Sequence, residues 1–520
     1  MSGLTTPTKR AWALIPAVLA LATFAQALAN GRPADDAVIL ANPLLAHWHT
    51  LPTALASPWW HTTGHLYRPL TLVTLGAEQL MTGGPLLSHA INIALNALIA
   101  ALVTRMLFRL VTPAPAMMAG AMFAVLPSHT EAVATLVGRA ELLAALAIVS
   151  LILLILKDHP PTRASRLAAA ALSAAALASK ESGVVAPIIA LAVAMTLASQ
   201  RRHALTWTIA AGQGTTVMLL ARLAALGTLG GDLPHPAFRV ASTAQRIALA
   251  LSILPHDLAM LVLPTRPAID WSPSLDELRH PPISLIVAGS ALTLAMLYAL
   301  ARHLSPIQPL EAPTLPPSQN QEPSLSLVLT LGLTLLALTA LPTANLLFPT
   351  GVVMSGRVLY APSIGMAIAL AVGLEWSRRV TAPRVSHRPS AVNATAIAAV
   401  ALITIASATT SWRETPTWRD SASMLATIAE RQPNDYRPEL YSAWFARDAG
   451  HTAESLAHFR NAAARFPADA EMLTDGATVA LAAHDSATAI TWLNQALAAN
   501  PNERRARARL SSLLRRRAGS

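Results

Sequence analysis

Ionisable side chains lie between the apolar runs of this 520-residue chain in two alternating groups. One group consists mostly of Lys and Arg. The other is sparse, mixed in sign and close to the ends of apolar runs, where a charge is costly and usually functional. Its members are Asp35, Asp36, His129, Glu131, Arg139, Glu141, Lys180, Glu181 and Arg357. This second group holds the candidates for chemistry.

The adjacent carboxylates Asp35 and Asp36 follow the first apolar run by a few residues. One carboxylate of such a pair can act as a general base or a metal ligand while its neighbour orients it. The alternative is an ordinary solvated loop that carries two acids. We expect this pair to be catalytic because of the other ionisable residues that follow it.

Tyr67 and Arg68 come after a short segment that contains Trp59 and Trp60. Trp can stack on a sugar and Arg can bind a phosphate, which predicts a substrate-binding segment. The alternative is an interfacial aromatic belt with an Arg anchor.

Residues 126–141 place four ionisable side chains between two short apolar runs. We expect His129 and Glu131 to face one cavity, and Arg139 with Glu141 to begin the returning helix. Residues this close to a membrane are functional by default. A buried ion-pair network that only fixes the helix ends is the alternative.

Lys180 and Glu181 form a short turn between two further apolar runs. A Lys at this surface can pair with a phosphate, while the adjacent Glu limits its charge. A snorkelling pair without function is the alternative.

The composition predicts a multi-pass membrane protein. Hydrophobic residues make up 53% of the chain and charged residues only 12%, about half the charge density of a globular protein. The net charge of +11 does not indicate nucleic-acid binding, because the bases flank apolar runs or lie in the C-terminal tail. The absence of cysteine excludes disulfides, thiol catalysis and cysteine-ligated metals.

Eleven apolar runs have the length of transmembrane helices or of shorter helices inside a bundle. They span 11–29, 86–108, 114–127, 140–156, 166–179, 183–199, 204–227, 283–301, 325–347, 358–376 and 391–410. A cytoplasmic N-terminus places the basic loops on the cytoplasmic side, as the positive-inside rule requires. The candidate residues then face the other side, which in the inner membrane of a bacterium is the periplasm. Cleavage of the first run as an export signal is the alternative for that segment.

Three segments differ from these runs. Residues 69–82 and 243–264 are apolar but interrupted by polar residues, which predicts helices lying in the membrane interface. Residues 304–324 are rich in Pro, Gln and Ser, which predicts a flexible cytoplasmic linker.

The segment after Ser411 has the composition of a soluble helical domain. Pro433, Pro467 and Pro501 recur at intervals of 34 residues, which is the period of tetratricopeptide helix pairs. We therefore expect an all-α chain with two parts: a helical membrane domain at 1–410 with about eleven spans, and a tetratricopeptide solenoid at 411–520.

The candidate residues, in this order, resemble the transmembrane and tetratricopeptide-repeat O-mannosyltransferases, within the C-type glycosyltransferases. The segments that carry the resemblance are Asp35-Asp36, Tyr67-Arg68-Pro69-Leu70, His89-x-x-Asn92, His129-Thr130-Glu131, Gly138-Arg139-Ala140-Glu141, Lys180-Glu181, Asp270-Trp271-Ser272 and Arg357-Val358-Leu359-Tyr360. The chain departs from the family pattern at Leu126, where the family has His, and at Gly356, where it has Glu.

The resemblance implies transfer of a sugar, typically mannose, from a polyprenyl-phosphate carrier to Ser or Thr hydroxyls of exported protein. It implies that Asp36 or Asp35 deprotonates the acceptor and that His129 and Glu131 shape the site. Arg139, Lys180 and Arg357 become candidates for the lipid phosphate. The concave groove of the repeats is suited to an extended polypeptide and would hold the acceptor above the membrane.

Several alternatives stay open at this point. The acceptor can instead be a glycan or a lipid, or the chain can be a membrane-anchored repeat scaffold without enzymatic activity. The sequence also leaves open whether a divalent cation such as Mg²⁺ or Mn²⁺ takes part. The acid pair at 35–36 favours an enzyme, because a scaffold has no need of it.

Overall fold

The computed structural model describes residues 6–61, 65–230, 234–305, 324–380 and 391–518. Most of the expected linker at 304–324 lies outside these ranges. The described residues form helices and no β-strand, apart from one isolated bridge between Trp271 and Met354. The expectation of an all-α chain is confirmed for this part of the chain.

The helices before the first long connection are α1 (Thr6–Thr23), α2 (Asp35–Leu40), α3 (Pro69–Thr82), α4 (Pro85–Leu107), α5 (Pro113–Ala124), α6 (Thr130–Ala134), α7 (Arg139–Ile155), α8 (Arg163–Ser179), α9 (Ala186–Thr196), α10 (Ala198–Arg201) and α11 (Ala204–Leu226). The remaining helices of the bundle are α12 (Pro236–Val240), α13 (Thr243–Val262), α14 (Leu275–Arg279), α15 (Ile283–Leu304), α16 (Leu325–Ala340), α17 (Pro362–Val380) and α18 (Ala391–Glu414). The C-terminal helices are α19 (Ser421–Arg431), α20 (Arg437–Asp448), α21 (Thr452–Arg465), α22 (Ala470–Ala482), α23 (Ser486–Ala499) and α24 (Arg504–Ala518).

Local sequence explains where many of these helices begin and end. Pro69, Pro85 and Pro113 are the first residues of α3, α4 and α5, where a missing N–H has no cost. Gly83 ends α3 with a φ of 66°, a conformation that glycine adopts without strain. The side chain of Asp469 caps α22 by accepting hydrogen bonds from two backbone N–H groups.

Each of the eleven predicted apolar runs overlaps one long helix of the bundle. Only five of the described helices are long and apolar enough to cross a membrane, or six if the bent pair of 127–134 and α7 counts as one span. That pair bends by 113°. The count of eleven spans is therefore not confirmed, because several of these helices, such as α5 and α9, are shorter than a membrane is thick.

Exposed apolar side chains show which helices face the lipid. On α15, Ile283, Val287 and Leu294 are more than half exposed, although the helix is among the most apolar of the chain. A water-soluble protein rarely exposes so continuous an apolar face. These helices are therefore suited to a membrane, in agreement with the composition.

The bundle has a basic end and an opposite end. Arg105, Arg109 and Lys157 line one recess, which places the ends of α4 and α7 side by side. Thr112 donates a hydrogen bond to Glu375, so the end of α17 lies at the same level. We call this the basic end, and the opposite end the cavity end.

Helix α13 qualifies as a span by length and apolarity alone, although residues 243–264 were expected to lie in the interface. Near its start, Arg246 donates hydrogen bonds to the carbonyls of Asn345 and Leu346. Just after its end, the carbonyl of Pro264 accepts a hydrogen bond from Thr410 at 3.1 Å. Both partner segments belong to the cavity end, so α13 runs along that end instead of crossing the bundle.

Helices α19 to α24 follow one another as packed antiparallel pairs. The helix starts at Arg437, Ala470 and Arg504 recur after 33 and 34 residues, close to the 34-residue interval of the prolines. Their apolar core is continuous with side chains of α12, α13 and α14, among them Phe238 and Ile253. The C-terminal helices, which we call the repeat region (421–518), are therefore docked on the cavity end of the bundle.

Candidate functional site

A cavity of about 590 Å³ opens at the cavity end of the bundle. We call it the main cavity. The ionisable side chains that line it are Asp35, Arg68, Glu141, Lys180, Glu181, Asp270 and Arg357. Six of these seven were predicted from the sequence, so the fold brings together residues that are up to about 320 positions apart in the chain.

Asp35 is the first residue of α2 and faces both the main cavity and a smaller one beside it. The preceding residue, Ala34, has a φ of 42°, which is unusual for a residue with a side chain. The backbone N–H of Ala34 donates to the hydroxyl of Ser421 at 3.0 Å. The start of the repeat region therefore holds the backbone that presents Asp35.

Asp36 is completely buried and lines only the smaller cavity. Its two carboxylate oxygens accept hydrogen bonds from the backbone N–H groups of Leu136 and Val137, both at 2.9 Å. Burial raises the pKa of Asp36 to about 7, although these two donors favour its ionised form. Asp36 fixes the turn before α7, and its position is not the exposed one that a loop acid was expected to occupy.

Arg357 links the two carboxylates that shape the floor of the site. Its guanidinium lies 3.0 Å from Glu131 and 3.9 Å from Asp35. The same Glu131 accepts a hydrogen bond of 2.5 Å from the hydroxyl of Ser355. Burial raises the pKa of Asp35, and Arg357 partly opposes this effect. A carboxylate with a raised pKa is a stronger base once it is ionised.

Gly356 explains one departure from the family pattern. A Cβ atom at this position would lie 3.0 Å from Pro267 and 3.3 Å from the carbonyl of Ser128. A side chain here would require these neighbours to shift by a few tenths of an ångström. Arg357 is paired with Glu131 in this chain.

Arg68 and Glu181 form an ion pair on another wall of the main cavity. The guanidinium nitrogens of Arg68 lie 2.8 and 2.9 Å from one oxygen of Glu181, and the other oxygen accepts the backbone N–H of Tyr67. The guanidinium also lies 5.2 Å from the centre of the Trp59 ring. This stacking orients Arg68 towards the cavity and leaves part of it exposed.

Lys180 forms an ion pair with Glu141 on the same side of the cavity. Burial lowers the pKa of Lys180, and the positive charges of Arg68 and Arg357 lower it further. Three cationic side chains thus line one cavity, each beside a carboxylate partner, and a further anion between them would reduce their mutual repulsion. This is the environment that a phosphate group would stabilise.

Five predicted site residues do not line the main cavity, namely Asp36, Glu131, Tyr67, His129 and Arg139. Tyr67 is buried and donates its hydroxyl to the carbonyl of Leu55. His129 is buried against the ring of Tyr360, and its Nε2 lies 2.9 Å from the hydroxyl of Ser363. These contacts support the structure around the site, and they keep both side chains away from a bound substrate.

Arg139 is also remote from the main cavity, and its side chain is 1% exposed. It forms an ion pair with Glu78 and donates hydrogen bonds of 2.8 Å to Asn92 and to the carbonyl of Ser88. These contacts use most of the donors of the guanidinium. Arg139 is thus committed to the packing of α3, α4 and α7.

Two charged residues of this end were not among the predicted site residues. Asp270 lines both cavities with a φ of 43° and pairs with Arg437 at 2.8 Å. The family-like segment that begins at Asp270 was the only sign of it in the sequence. Glu78, the partner of Arg139, is a lone acid in an apolar helix, which is itself a signal of a buried partner.

The acids of the main cavity do not form an evident cation site. Each one faces a positively charged partner: Arg357 for Asp35, Lys180 for Glu141, Arg68 for Glu181 and Arg437 for Asp270. Among the described residues, no cluster of three or more acids or histidines has the geometry of a metal site. The donor set therefore does not fit Mg²⁺ or Mn²⁺, which need several free oxygens.

No protein-family profile matches the chain, and no solved structure matches it. Several curated proteins are similar to the chain. The chain is 26% identical to the protein O-mannosyl-transferase TMTC3 of Mus musculus, over 65% of this chain and 39% of that protein. It is 26% identical to the protein O-mannosyl-transferase TMTC4 of Mus musculus, over 70% of this chain and 55% of that protein.

A third relative, the protein O-mannosyl-transferase TMTC2 of Mus musculus, is 26% identical over 63% of this chain and 46% of its own length. The chain thus spans about half the length of the curated relatives that it matches. These similarities confirm the resemblance of this chain to the transmembrane and tetratricopeptide-repeat protein O-mannosyl-transferases.

Proposed function

We propose that this chain is a membrane glycosyltransferase that moves a sugar, with mannose as the first choice, from a polyprenyl-phosphate carrier to Ser or Thr hydroxyls of exported protein. The observation that carries the proposal is the position of Asp35. It is a partly exposed carboxylate at the edge of a cavity that also holds three cationic side chains. The relatives named protein O-mannosyl-transferases support the same reaction.

The proposed step is a displacement at the anomeric carbon of the sugar. The acceptor hydroxyl oxygen bonds to this carbon while its proton passes to the carboxylate of Asp35. The bond between the anomeric carbon and the phosphate oxygen breaks, and the lipid phosphate leaves with the electron pair. A hydroxyl is a weak nucleophile at neutral pH, so a positioned base accelerates the step about 10²–10⁴-fold.

Arg68, Lys180 and Arg357 are the proposed partners of the lipid phosphate. The leaving phosphate gains negative charge, which preorganised cations stabilise. A guanidinium has five N–H donors, and the ion pairs of Arg68 and Arg357 use only some of them. In this proposal the three side chains neutralise the leaving phosphate, because the acids of the main cavity already have cationic partners.

The opening of the main cavity suits a lipid chain. Leu229 and Phe348 line it and are 55% and 51% exposed, respectively. Large apolar side chains at the edge of a charged cavity would be unfavourable in water, but they favour contact with a hydrocarbon chain. We propose that the polyprenyl chain leaves the cavity between these two residues.

Transfer can be tested with the purified protein in proteoliposomes. The donor would be polyprenyl-phosphate mannose with a radiolabelled sugar, and the acceptor a Ser/Thr-rich peptide. We expect label in the peptide that is released by β-elimination, and little from nucleotide-activated mannose. Label that appears only in lipid or glycan would refute the protein acceptor. Absence of any transfer from the lipid-linked donor would refute the proposed enzyme.

The proposed orientation places the basic end in the cytoplasm and the cavity end outside it, in the periplasm if the host is a bacterium. Because the chain has no cysteine, single cysteines can be introduced at the exposed positions Trp48, near the cavity end, and Arg163, at the basic end. An impermeant maleimide should label position 48 in intact cells and position 163 only after permeabilisation. Labelling of both from one side would overturn the orientation.

A further inference from the structure

A second, smaller cavity of about 40 Å³ lies against the main cavity. Asp35, Asp270 and Arg357 line both, so these side chains form the wall between the two. We call the smaller one the side cavity. Any group held in it would contact the proposed base from the side opposite the donor.

The repeat region supplies much of the outer wall of the side cavity. The residues are Met424 and Ile428 of α19 and Arg437 and Tyr441 of α20. Trp418, which precedes α19, also lines it. The repeats were expected to hold the acceptor polypeptide above the membrane, and these contacts place their first two helices beside Asp35.

Direct contacts hold this wall in place. Arg437 bridges Asp270 and Asp435, and its side chain is almost entirely buried. Arg431 pairs with Glu414 through two hydrogen bonds of 2.7 and 2.9 Å. Charge-assisted, paired hydrogen bonds of this kind fix orientation strongly. The first two helices of the repeat region are therefore fixed relative to Asp35.

The size of the side cavity restricts what it can hold. A volume of 40 Å³ admits about three water-sized groups. That is enough for a hydroxymethyl or hydroxyethyl group and too little for a phenol ring. Met424 and Ile428 add an apolar surface that suits the methyl group of a threonine.

We propose that the side cavity is the acceptor subsite, which receives the Ser or Thr side chain of a polypeptide and presents its hydroxyl to Asp35. The selection for small hydroxyl side chains is made by α19 and α20 together with α2. This inference rests on the proposed function, because it needs a donor in the main cavity. The repeat region would then select the acceptor side chain next to the reacting atoms. It could also bind the polypeptide along its groove.

Filling the side cavity tests the inference. The measured quantity is the ratio of mannose transfer to a threonine peptide over hydrolysis of the lipid-linked donor by water. We expect Ile428→Phe to lower this ratio at least tenfold. Leu425→Phe is the matched control, because Leu425 is also buried on α19 but does not line the cavity. An unchanged ratio in a folded Ile428→Phe protein would overturn the inference.

Enlarging the cavity gives a second test that does not depend on the tolerance of the fold for a larger side chain. Wild-type protein should use threonine peptides and discriminate against β-hydroxynorvaline peptides, whose side chain is that of threonine with one more methylene. Ile428→Ala should reduce that discrimination at least fivefold. Equal use of both peptides by the wild type would overturn the inference while leaving the proposed function in place. Failure of the wild type to use any peptide or to hydrolyse the donor would instead refute the proposed function.

Discussion

The ion pairs of the main cavity and those of the neighbouring core use the same residue types but differ in what they leave free. Arg68 has a side chain that is 16% exposed, and it pairs with one carboxylate. Arg139 is 1% exposed and contacts Glu78, Asn92 and Ser88. A cation with unused donors at a cavity can bind a substrate, whereas one with saturated donors in a core stabilises the fold.

The adjacent acids Asp35 and Asp36 also differ in how far their side chains are committed to the fold. Asp35 faces two cavities, with Arg357 at 3.9 Å. Asp36 is buried under the turn that it caps. Residue type and position in the sequence give both the same apparent role. Only Asp35 also lines the main cavity, where the sugar donor is proposed to lie.

Removing one carboxylate at a time tests whether Asp35 and Asp36 have different roles. Asp35→Asn should lower transfer by about 10²–10⁴-fold with an unchanged thermal midpoint, because the base is lost and the fold is not. Asp36→Asn should instead destabilise the protein by about 1–3 kcal/mol, because one backbone N–H loses its acceptor. Asp276→Asn, an exposed acid on α14, is the control. Equal loss of transfer in folded Asp35 and Asp36 variants would contradict the distinction.

The two arginines allow a matched substitution. Arg68→Lys keeps the charge but loses the stacking and the paired hydrogen bonds, so the KM for the lipid-linked donor should rise about tenfold, a loss of about 1.4 kcal/mol. Arg139→Lys should leave the KM unchanged in the protein that folds. It should lower stability by about 1–3 kcal/mol for each buried acceptor left without a donor. Thermal unfolding in detergent and steady-state kinetics would separate the two effects. A higher KM in Arg139→Lys would place that residue in the binding site.

The pH dependence of transfer sharpens the assignment of Asp35. Because burial raises its pKa above the ordinary value of 3.8 and the base must be ionised, transfer should fall as the pH drops through this raised pKa. Asp270 raises the pKa of Asp35 further and Arg357 lowers it. Asp270→Asn should therefore move the acid limb of kcat/KM to lower pH. A limb that moves to higher pH, or that persists in Asp35→Asn, would show that another group titrates.

The smallest expected effect concerns the backbone before Asp35. The φ of 42° at Ala34 costs about 1–3 kcal/mol for a residue with a side chain. Glycine relieves this strain but loses about 0.5–1 kcal/mol in conformational entropy. Ala34→Gly should thus raise the thermal midpoint slightly and lower transfer, because α2 is held less firmly. A lower midpoint would show that this backbone is not strained.

Several features could be predicted because they depend on short stretches of sequence. Each apolar run overlaps a helix, since apolarity and length are local properties. The recurrence at Pro433, Pro467 and Pro501 matches helix pairs of the repeat region for the same reason. The number of spans was harder to predict. Helices as short as α5 and α9 do not by themselves meet the length of a membrane.

The site could be predicted only in part. Six of the ionisable residues around the main cavity follow from their unusual position at the ends of apolar runs. His129 and Arg139 occupy equally unusual positions, yet they lie in the core. A site residue and a core residue look alike in the sequence, because a desolvated polar group needs a partner in both places.

The sequence by itself determined the membrane class, the helical secondary structure, the repeat at the C-terminus and the set of residues from which a site could be built. The tertiary structure decided which of them meet. It placed Asp35 and not Asp36 at the main cavity, and it paired Lys180 with Glu141 and Arg139 with Glu78. The physical reason is that these pairs join helices far apart in the chain, and their geometry depends on packing that no local pattern contains. The contact of the repeat region with Asp270 is of the same kind.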